Sequence, residues 1–180
     1  MQVTSQFSDT TPVIVPGPLV PMRIGFFVPW ITKGRGGTEH VGQMMANAMA
    51  ARGHDVTVFT FDDARAPARW PLDDGIDLVH LPEAETPAAD QRMAIEVASR
   101  NLTVLVGLHM NRGFVRYVRC ATKAELPLVL SEHADPAGPA QLGTFSPEER
   151  GVVFFGATLI HLLGESFRAT LDDHLQDRIR

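Results

Sequence analysis

Short apolar runs alternate with amphipathic stretches along the chain from residue 23 onward. The apolar runs predict β-strands over 23–29, 55–61, 76–81, 102–109, 127–132 and 158–163. The stretches between and after them predict helices over 38–52, 89–100, 113–125, 148–156 and 166–178. The first helix is followed by Gly53, a common residue past a helix end, and the fourth is opened by Ser146-Pro147. Apolar residues recur on one side of the first helix, at Val41, Met44, Met45, Ala48 and Met49.

This order of elements predicts an α/β fold. Apolar strands that are each followed by a helix are typical of a parallel sheet whose two faces are both covered. We therefore predict a Rossmann-like, doubly wound, mostly parallel sheet in a three-layer α/β/α arrangement. Right-handed crossovers place the loops after the strands on one edge, and ligands bind such sheets there. The segments expected at that edge are 30–40, 62–75, 82–88, 109–112, 132–143 and 164–166.

The first 21 residues differ from the rest of the chain. They contain Pro12, Pro16, Pro18 and Pro21, and they show no hydrophobic periodicity. We expect a disordered leader over 1–21 and one domain over 22–180, with Met22 as a candidate functional start.

Composition narrows the class of protein. The chain has 180 residues, of which 44% are hydrophobic and 21% charged, as in a globular domain with a real core. A net charge of −5 argues against a nucleic-acid-binding surface. A single cysteine, Cys120, cannot form an internal disulfide, which favours a reducing compartment. No apolar run approaches the roughly 20 residues of a membrane helix, and no secretory signal pattern is present, so we expect a cytoplasmic protein.

A glycine-rich segment, Lys33-Gly34-Arg35-Gly36-Gly37-Thr38-Glu39-His40, joins the first predicted strand to the first helix. Glycines permit a tight turn with positive φ and let a bulky anion approach the main chain. The unpaired N–H groups and the dipole of the helix start favour such an anion, and Lys33 and Arg35 would add charge. A flexible turn into a helix explains the same glycines equally well.

Two standard phosphate-binding patterns are absent from this segment. The pattern G-x-G-x-x-G, read from Gly34, requires a third glycine where Glu39 stands. The spacing of G-x-x-x-x-G-K-[ST] does not occur either. If the segment holds a phosphate, it does so in another way.

Several stretches taken together match one known pattern. They are Gly36-Gly37-Thr38-Glu39, Arg52-Gly53-His54, the Val/Thr strand over 56–60, VLVGLHM ending near His109, and LVLSEHAD containing Glu132-His133. Over residues 22–178 the chain resembles the N-terminal, acceptor-side domain of family 4 glycosyltransferases. Those enzymes have the GT-B architecture, in which two Rossmann-like domains face each other across a cleft.

The resemblance implies roles for particular residues. Gly36 and Gly37 correspond to the paired glycines that approach the donor diphosphate and the acceptor. His109 corresponds to a histidine that contacts the transferred sugar, and it is the catalytic candidate. Family 4 enzymes retain the anomeric configuration and need no base from this half, whereas inverting relatives use one here, so the role of a base stays open for His109. Without the resemblance, a structural histidine is the simpler interpretation.

Other polar residues at the same edge have two interpretations each. Glu132 and His133 could line an acceptor site or hold a loop by hydrogen bonds. The pairs Asp62-Asp63 and Asp73-Asp74 lack the Asp-x-Asp spacing of metal-dependent transferases, and we interpret them as solvated loop ends and helix caps. The resemblance implies no cofactor and no metal, because helix dipoles and basic side chains stabilise the departing diphosphate in GT-B enzymes.

A row of cations marks the third predicted helix. They recur at i, i+4, i+7 and i+11, at Arg112, Arg116, Arg119 and Lys123. A solvated outer face is the simpler interpretation. The sharper hypothesis is peripheral contact with anionic lipid at the inner face of a membrane, since many acceptors in the family are membrane lipids.

The resemblance also implies that a partner is needed. The C-terminal domain, which holds the nucleotide sugar in the family, is absent from these residues. We therefore expect an acceptor-side domain that moves a sugar from a nucleotide-sugar donor to a saccharide or lipid-linked acceptor. It would be inactive without a donor-binding domain, in cis or in trans. A non-catalytic Rossmann-like binding or regulatory module is the alternative, and half of a nucleotide-sugar epimerase is a third hypothesis.

Overall fold

A six-stranded parallel sheet forms the centre of the molecule. The computed structural model describes residues 20–34, 36–62, 68–108, 113–136, 138 and 145–180. The predicted leader over 1–21 thus lies almost wholly outside the described residues. The strands are β1 (Arg23–Phe27), β2 (Asp55–Thr60), β3 (Asp77–His80), β4 (Val104–Leu108), β5 (Leu128–Glu132) and β6 (Leu159–Leu162). The helices are α1 (Gly37–Ala50), α2 (Pro87–Ala98), α3 (Gly113–Ala124), α4 (Pro147–Phe155) and α5 (Glu165–Arg168), followed by a 3₁₀ helix over Asp173–Arg178.

The strand order is β3-β2-β1-β4-β5-β6, and every neighbouring pair is parallel. β1 is central, because Ile24 pairs with Val56 of β2 on one side and with Val104 of β4 on the other. The chain therefore winds outward first in one direction and then in the other, which confirms the predicted doubly wound α/β fold. The direction changes between β1 and β4, and a crevice opens at such a switch point beyond the carboxyl ends of the strands.

Helix starts follow the local sequence signals. The hydroxyl of Thr86 accepts a hydrogen bond from the Ala89 N–H at 3.2 Å and caps α2, whose first residue is Pro87. At α4, Ser146 and Glu149 form a capping box, in which each side chain bonds the other residue's N–H. The predicted start of this helix at Ser146-Pro147 is confirmed.

The C-terminal segment differs from the prediction. A continuous helix over 166–178 was expected, but the chain forms the short α5 and a separate 3₁₀ helix. Side chains take the carbonyl groups that a longer helix would pair with N–H groups. The Gln176 amide donates to the Arg168 and Leu171 carbonyls, and the Thr170 hydroxyl donates to the Phe167 carbonyl. The other predicted elements are present, with their ends shifted by no more than two residues.

The described residues cover the two faces of the sheet unequally. One face packs beneath α2, α3 and α4 around a core that includes Leu105, Leu130 and Phe154, all fully buried. The other face is covered by α1, which packs on β1 and β2. On that second face, strands β4, β5 and β6 carry half-buried or exposed apolar side chains, at Val104, Val106, Val129 and Leu159. An apolar groove of about 360 Å³ runs across them beside α1. No helix within the described residues is long and apolar enough to cross a bilayer.

Candidate functional site

A cleft of about 190 Å³ lies at the carboxyl edge of the sheet, on the β1 side of the switch point. Its walls come from three loops and one helix start. The residues that line it are Pro29 and Trp30 after β1, Phe61 after β2, Glu83 and Glu85 after β3, and Gly113 and Arg116 of α3. The rule that parallel sheets bind ligands beyond the carboxyl ends of their strands predicts segments 30–40 and 82–88 at this edge. The structure brings Trp30 of the first segment and Glu83 and Glu85 of the second into one cleft.

The glycine segment at this edge is built around a buried glutamate. Glu39 lies on the first turn of α1 and is buried against Gly34 and Gly36. A Cβ atom on Gly36 would stand 2.7 Å from Glu39 Oε2, and one on Gly34 would collide with the Trp30 carbonyl. The expected positive φ is wrong for Gly34, Gly36 and Gly37, since none of them adopts it. These glycines therefore serve close approach rather than a left-handed turn.

The start of α1 is open to solvent. Gly36 is the N-cap residue and provides no side-chain hydrogen bond to the first turn. Gly36 and Gly37 are exposed, and no atom lies within 4 Å of a Cβ placed on Gly37. Backbone N–H groups at such a helix start can receive an anion. Arg35 lies outside the described residues.

Asp62 fixes the path of the loop after β1. Its side chain is fully buried, and its Oδ2 accepts hydrogen bonds from the N–H groups of Thr32 at 2.5 Å and Lys33 at 3.2 Å. The interpretation of Asp62 as a solvated loop end is therefore wrong. The sequence offered one signal, an aspartate directly after a strand at the ligand-binding edge. Its partner Asp63 lies outside the described residues.

Lys33 sits between two carboxylates rather than standing free for a phosphate. Its Nζ lies 3.7 Å from Asp62 Oδ1 and 3.7 Å from Glu83 Oε1. Both separations exceed hydrogen-bonding distance, so this exposed ammonium is held loosely. The Lys33 charge thus bridges the loops after β1, β2 and β3 at the mouth of the cleft.

Arg116 is buried, and its assignment to an exposed cationic stripe is wrong. Only 4% of its surface is exposed. Its Nε donates to Asp90 Oδ1 at 2.9 Å, and its other nitrogens donate to the Pro82 and Glu83 carbonyls. Its guanidinium lies 4.4 Å from the ring centre of Phe61. The side chain is drawn inward because α2 places Asp90 beside α3, which no local pattern in α3 reveals.

The other cationic residues of this row differ from Arg116 in their exposure. Arg119 is 61% exposed and lies 3.4 Å from Asp90 Oδ2, and Lys123 is also exposed. Arg112 lies outside the described residues. Of the described members, only Arg119 and Lys123 can therefore face an external surface.

Glu132 does not line the cleft, and its assignment to the acceptor site is wrong. The residue is fully buried at the end of β5, where its carboxylate accepts two hydrogen bonds from Arg150 of α4. Burial raises the pKa of the Glu132 carboxyl above its ordinary value, and the adjacent Arg150 guanidinium opposes that shift. The alternative of a structural hydrogen bond describes Glu132 correctly.

His133 belongs to a second polar cluster. Its Nε2 lies 2.8 Å from the Ser131 hydroxyl, and the same hydroxyl lies 2.7 Å from His161 Nδ1 on β6. Ser131 and His161 line the apolar groove on the α1 face, not the carboxyl-edge cleft. Within the described parts of the chain, no three histidine, cysteine or acidic side chains are grouped as metal ligands would be.

His109 lies outside the described residues, so its approach to Gly36 and Gly37 stays a prediction. β4 pairs with β1 through Gly107 and Phe27, so the carboxyl ends of these two strands lie side by side. The residues that sequence reasoning did not single out are Trp30, Glu83 and Glu85. All three follow strands at the edge that the fold predicted.

Solved structures of the HepE protein of Anabaena are similar to this chain. The complex with UDP and glucose matches with a TM-score of 0.61 at 13% sequence identity. The complex with UDP-glucose matches with a TM-score of 0.62 at 14% sequence identity. The complex with UDP matches with a TM-score of 0.61 at 15% sequence identity. The fold is shared with HepE. Identities this low establish the fold alone.

The match covers 88% of this chain but 43% of the HepE chain, so this chain spans less than half the length of HepE. No protein-family model matches the sequence. A search of curated proteins gives no significant match either.

Proposed function

We propose that this chain is the acceptor-side half of a retaining, family 4 glycosyltransferase of GT-B architecture. It would take part in moving a sugar from a nucleotide sugar to a saccharide or lipid-linked acceptor. The fold supports the proposal, because HepE shares it and binds UDP-glucose, a nucleotide sugar. The observation that carries it is the cleft at the carboxyl edge beside the open start of α1.

The groups at the carboxyl edge would each have a role in the proposed sugar transfer. The N–H groups at Gly36 and Gly37, with the dipole of α1, would face the donor diphosphate. His109 would hydrogen-bond the transferred sugar. The acceptor would occupy the cleft beside Trp30, and Asp62 would hold the loop that positions both ligands. Charge that develops on the leaving diphosphate would be stabilised by these fixed dipoles without a metal.

The proposed reaction requires a second, donor-binding half that closes the cleft. A single Rossmann-like half cannot enclose a donor and exclude water, and sugar transfer depends on both. The donor-binding half would be supplied by the same polypeptide or by a separate one. We place the protein in the cytoplasm, with Arg119 and Lys123 as the described residues that would contact an anionic membrane. Flotation with anionic vesicles should weaken when both become glutamine, whereas unchanged flotation would remove the membrane contact.

The transfer assay tests this function directly. The chain is incubated with nucleotide sugars and with saccharide or lipid-linked acceptors, alone and together with a donor-binding half. No product is expected from the chain alone, and product is expected from the pair. In the pair, Gly37→Pro should suppress transfer, because proline removes an N–H and adds bulk where the ligand would lie. Failure of transfer with every donor-binding half would favour the non-catalytic binding module.

A further inference from the structure

Half of the sheet face that carries α1 has no cover among the described residues. On that face α1 packs on β1 and β2, whereas α2, α3 and α4 all pack on the opposite face. Val104, Val106 and Val129 are therefore only half-buried, and Leu159 is 37% exposed. Both faces of a parallel sheet are normally covered. The apolar surface of β4, β5 and β6 thus indicates that a further segment packs on it.

The groove on this surface encloses about 360 Å³, and most of its lining is apolar. Three methionines line it, Met45 and Met49 on α1 and Met22 directly before β1. Methionine side chains are flexible and adapt to the shape of an apolar partner. Burying a charge in such a groove is costly. The groove therefore suits an uncharged, apolar stretch of chain.

The segment that precedes β1 has a sequence of this kind. Residues 1–19 lie outside the described residues, and the described chain begins at Val20, two residues before Met22 of the groove. The stretch Pro12-Val13-Ile14-Val15-Pro16 places three branched apolar side chains between two prolines, and no residue from 10 to 20 is charged. Proline limits a chain to a few extended conformations, so that docking this stretch costs less conformational entropy.

The length of this segment is sufficient to cross the groove. Adjacent strands lie about 4.8 Å apart, so β6, the third strand from β1 in the sheet, is roughly 14 Å away. Val15 precedes Met22 by seven residues, and an extended chain of that length spans roughly 22 Å. The longer internal segments outside the described residues, 63–67, 109–112 and 139–144, all follow the carboxyl ends of strands, and the last two lead into α3 and α4 on the opposite face.

We propose that residues 12–20 of this chain lie along the groove, with Val13, Ile14 and Val15 packed over β4, β5 and β6. The segment would then complete the second covering layer of the sheet, whereas the sequence pattern predicts a disordered leader. This role is independent of sugar transfer, because the groove lies on the α1 face and not at the carboxyl-edge cleft.

The substitution Ile14→Asp tests this occupant in the full chain. A carboxylate must give up its hydration to enter a mostly apolar groove, so docking of the segment should weaken by roughly tenfold or more. Fluorescence of the dye ANS, which binds exposed apolar surface, should then rise several-fold. In a ¹⁵N NMR spectrum the amides of Val104 and Val129 should shift, whereas that of Val79 on β3 should not.

Val3→Asp is the matched control, because it adds the same charge to the same segment outside the apolar stretch. It should leave the ANS fluorescence and the groove amides unchanged. A free peptide of residues 10–19 at millimolar concentration should return the ANS fluorescence of the Ile14→Asp chain to the wild-type level. The same peptide carrying Ile14→Asp should not.

Three results would overturn the proposal. The first is wild-type ANS fluorescence and unshifted groove amides in the Ile14→Asp chain. The second is an equal rise in fluorescence with Val3→Asp, which would show a general effect of charge. The third is wild-type fluorescence per molecule that falls as the protein concentration rises, because a second copy of the chain would then cover the groove.

Discussion

The Arg150 guanidinium donates two hydrogen bonds to the Glu132 carboxylate, from Nε to Oε1 at 2.8 Å and from Nη2 to Oε2 at 2.5 Å. Its remaining nitrogen, Nη1, donates to the carbonyl and hydroxyl of Thr170. One buried side chain therefore ties the end of β5 to α4 and to the segment after α5. This pair holds the carboxyl edge together but takes no part in the cleft.

Replacing Glu132 by glutamine should destabilise the protein by about 3–5 kcal/mol, because it leaves the Arg150 charge buried without its counter-ion. Urea unfolding at pH 7 measures the change. The double variant Glu132→Leu with Arg150→Met should recover much of the loss, since two apolar side chains need no partner. A loss below about 1 kcal/mol in the single variant would show that water reaches the guanidinium.

Arg116 and Arg119 allow a matched comparison on one helix. Arg116→Gln removes the buried partner of Asp90 and the donors to the loop after β3, and should cost about 2–4 kcal/mol. Arg119→Gln, at an exposed position, should change stability by no more than about 0.5 kcal/mol. The two free energies of unfolding come from the same urea titration. Equal losses would contradict the burial of Arg116.

Cys120 makes stability depend on alkaline pH. Burial of its side chain raises the pKa of the thiol to about 12. In the unfolded chain the thiol ionises near its ordinary pKa of about 8.5. The folded state therefore keeps a proton that the unfolded state loses, and this stabilisation, complete below about pH 8.5, is lost as the pH rises toward 12. We expect the free energy of unfolding to fall between pH 8.5 and pH 10.

The matched variant is Cys120→Ala, which removes the titrating group. Its free energy of unfolding should fall less steeply over the same range, by up to about 1.4 kcal/mol per pH unit. Only the slopes are compared, because the substitution also leaves a small cavity. Identical slopes for the two proteins would mean that the thiol is not protected in the folded state.

Neighbouring residues of β4 test the unequal covering of the sheet. Leu105 points into the core beneath the helices and is fully buried, so Leu105→Ala should cost about 2–5 kcal/mol. Val106 points toward the open groove and is half-buried, so Val106→Ala should cost clearly less. Val106→Lys should likewise lower the free energy of unfolding by clearly less than Leu105→Ala does. A cost for Val106→Lys as large as that for Leu105→Ala would show that Val106 is packed as closely as the core.

The fold could be predicted from the sequence because it depends on repeated local signals. Apolar runs, helix caps and glycine positions recur along the chain, and the rule for parallel sheets converts their order into a binding edge. The positions of Trp30, Glu83 and Glu85 at that edge follow from the same rule. The C-terminal helix was predicted incorrectly because the side chain of Gln176 competes for backbone carbonyls.

The charged residues of the site could not be predicted in the same way. Arg116 is paired with Asp90, 26 residues earlier, and Glu132 with Arg150, 18 residues later. Asp62 binds backbone N–H groups some 30 residues away. The periodicity of a single helix shows which residues share a face, but not which neighbouring element supplies a counter-ion. Burial of a charge depends on that second element.

An NMR titration tests the central claim, that the carboxyl edge is the ligand-binding edge of this half. The ¹⁵N-labelled chain is titrated with methyl glucoside and separately with UDP-glucose, and backbone amide shifts are followed residue by residue. The saccharide should shift the amides of Lys33 and Glu83 and the Trp30 indole, and the nucleotide sugar those of Gly36 and Gly37. Val104 and Val129, in the apolar groove, should not move. Shifts confined to the groove, or none at millimolar ligand, would contradict the claim.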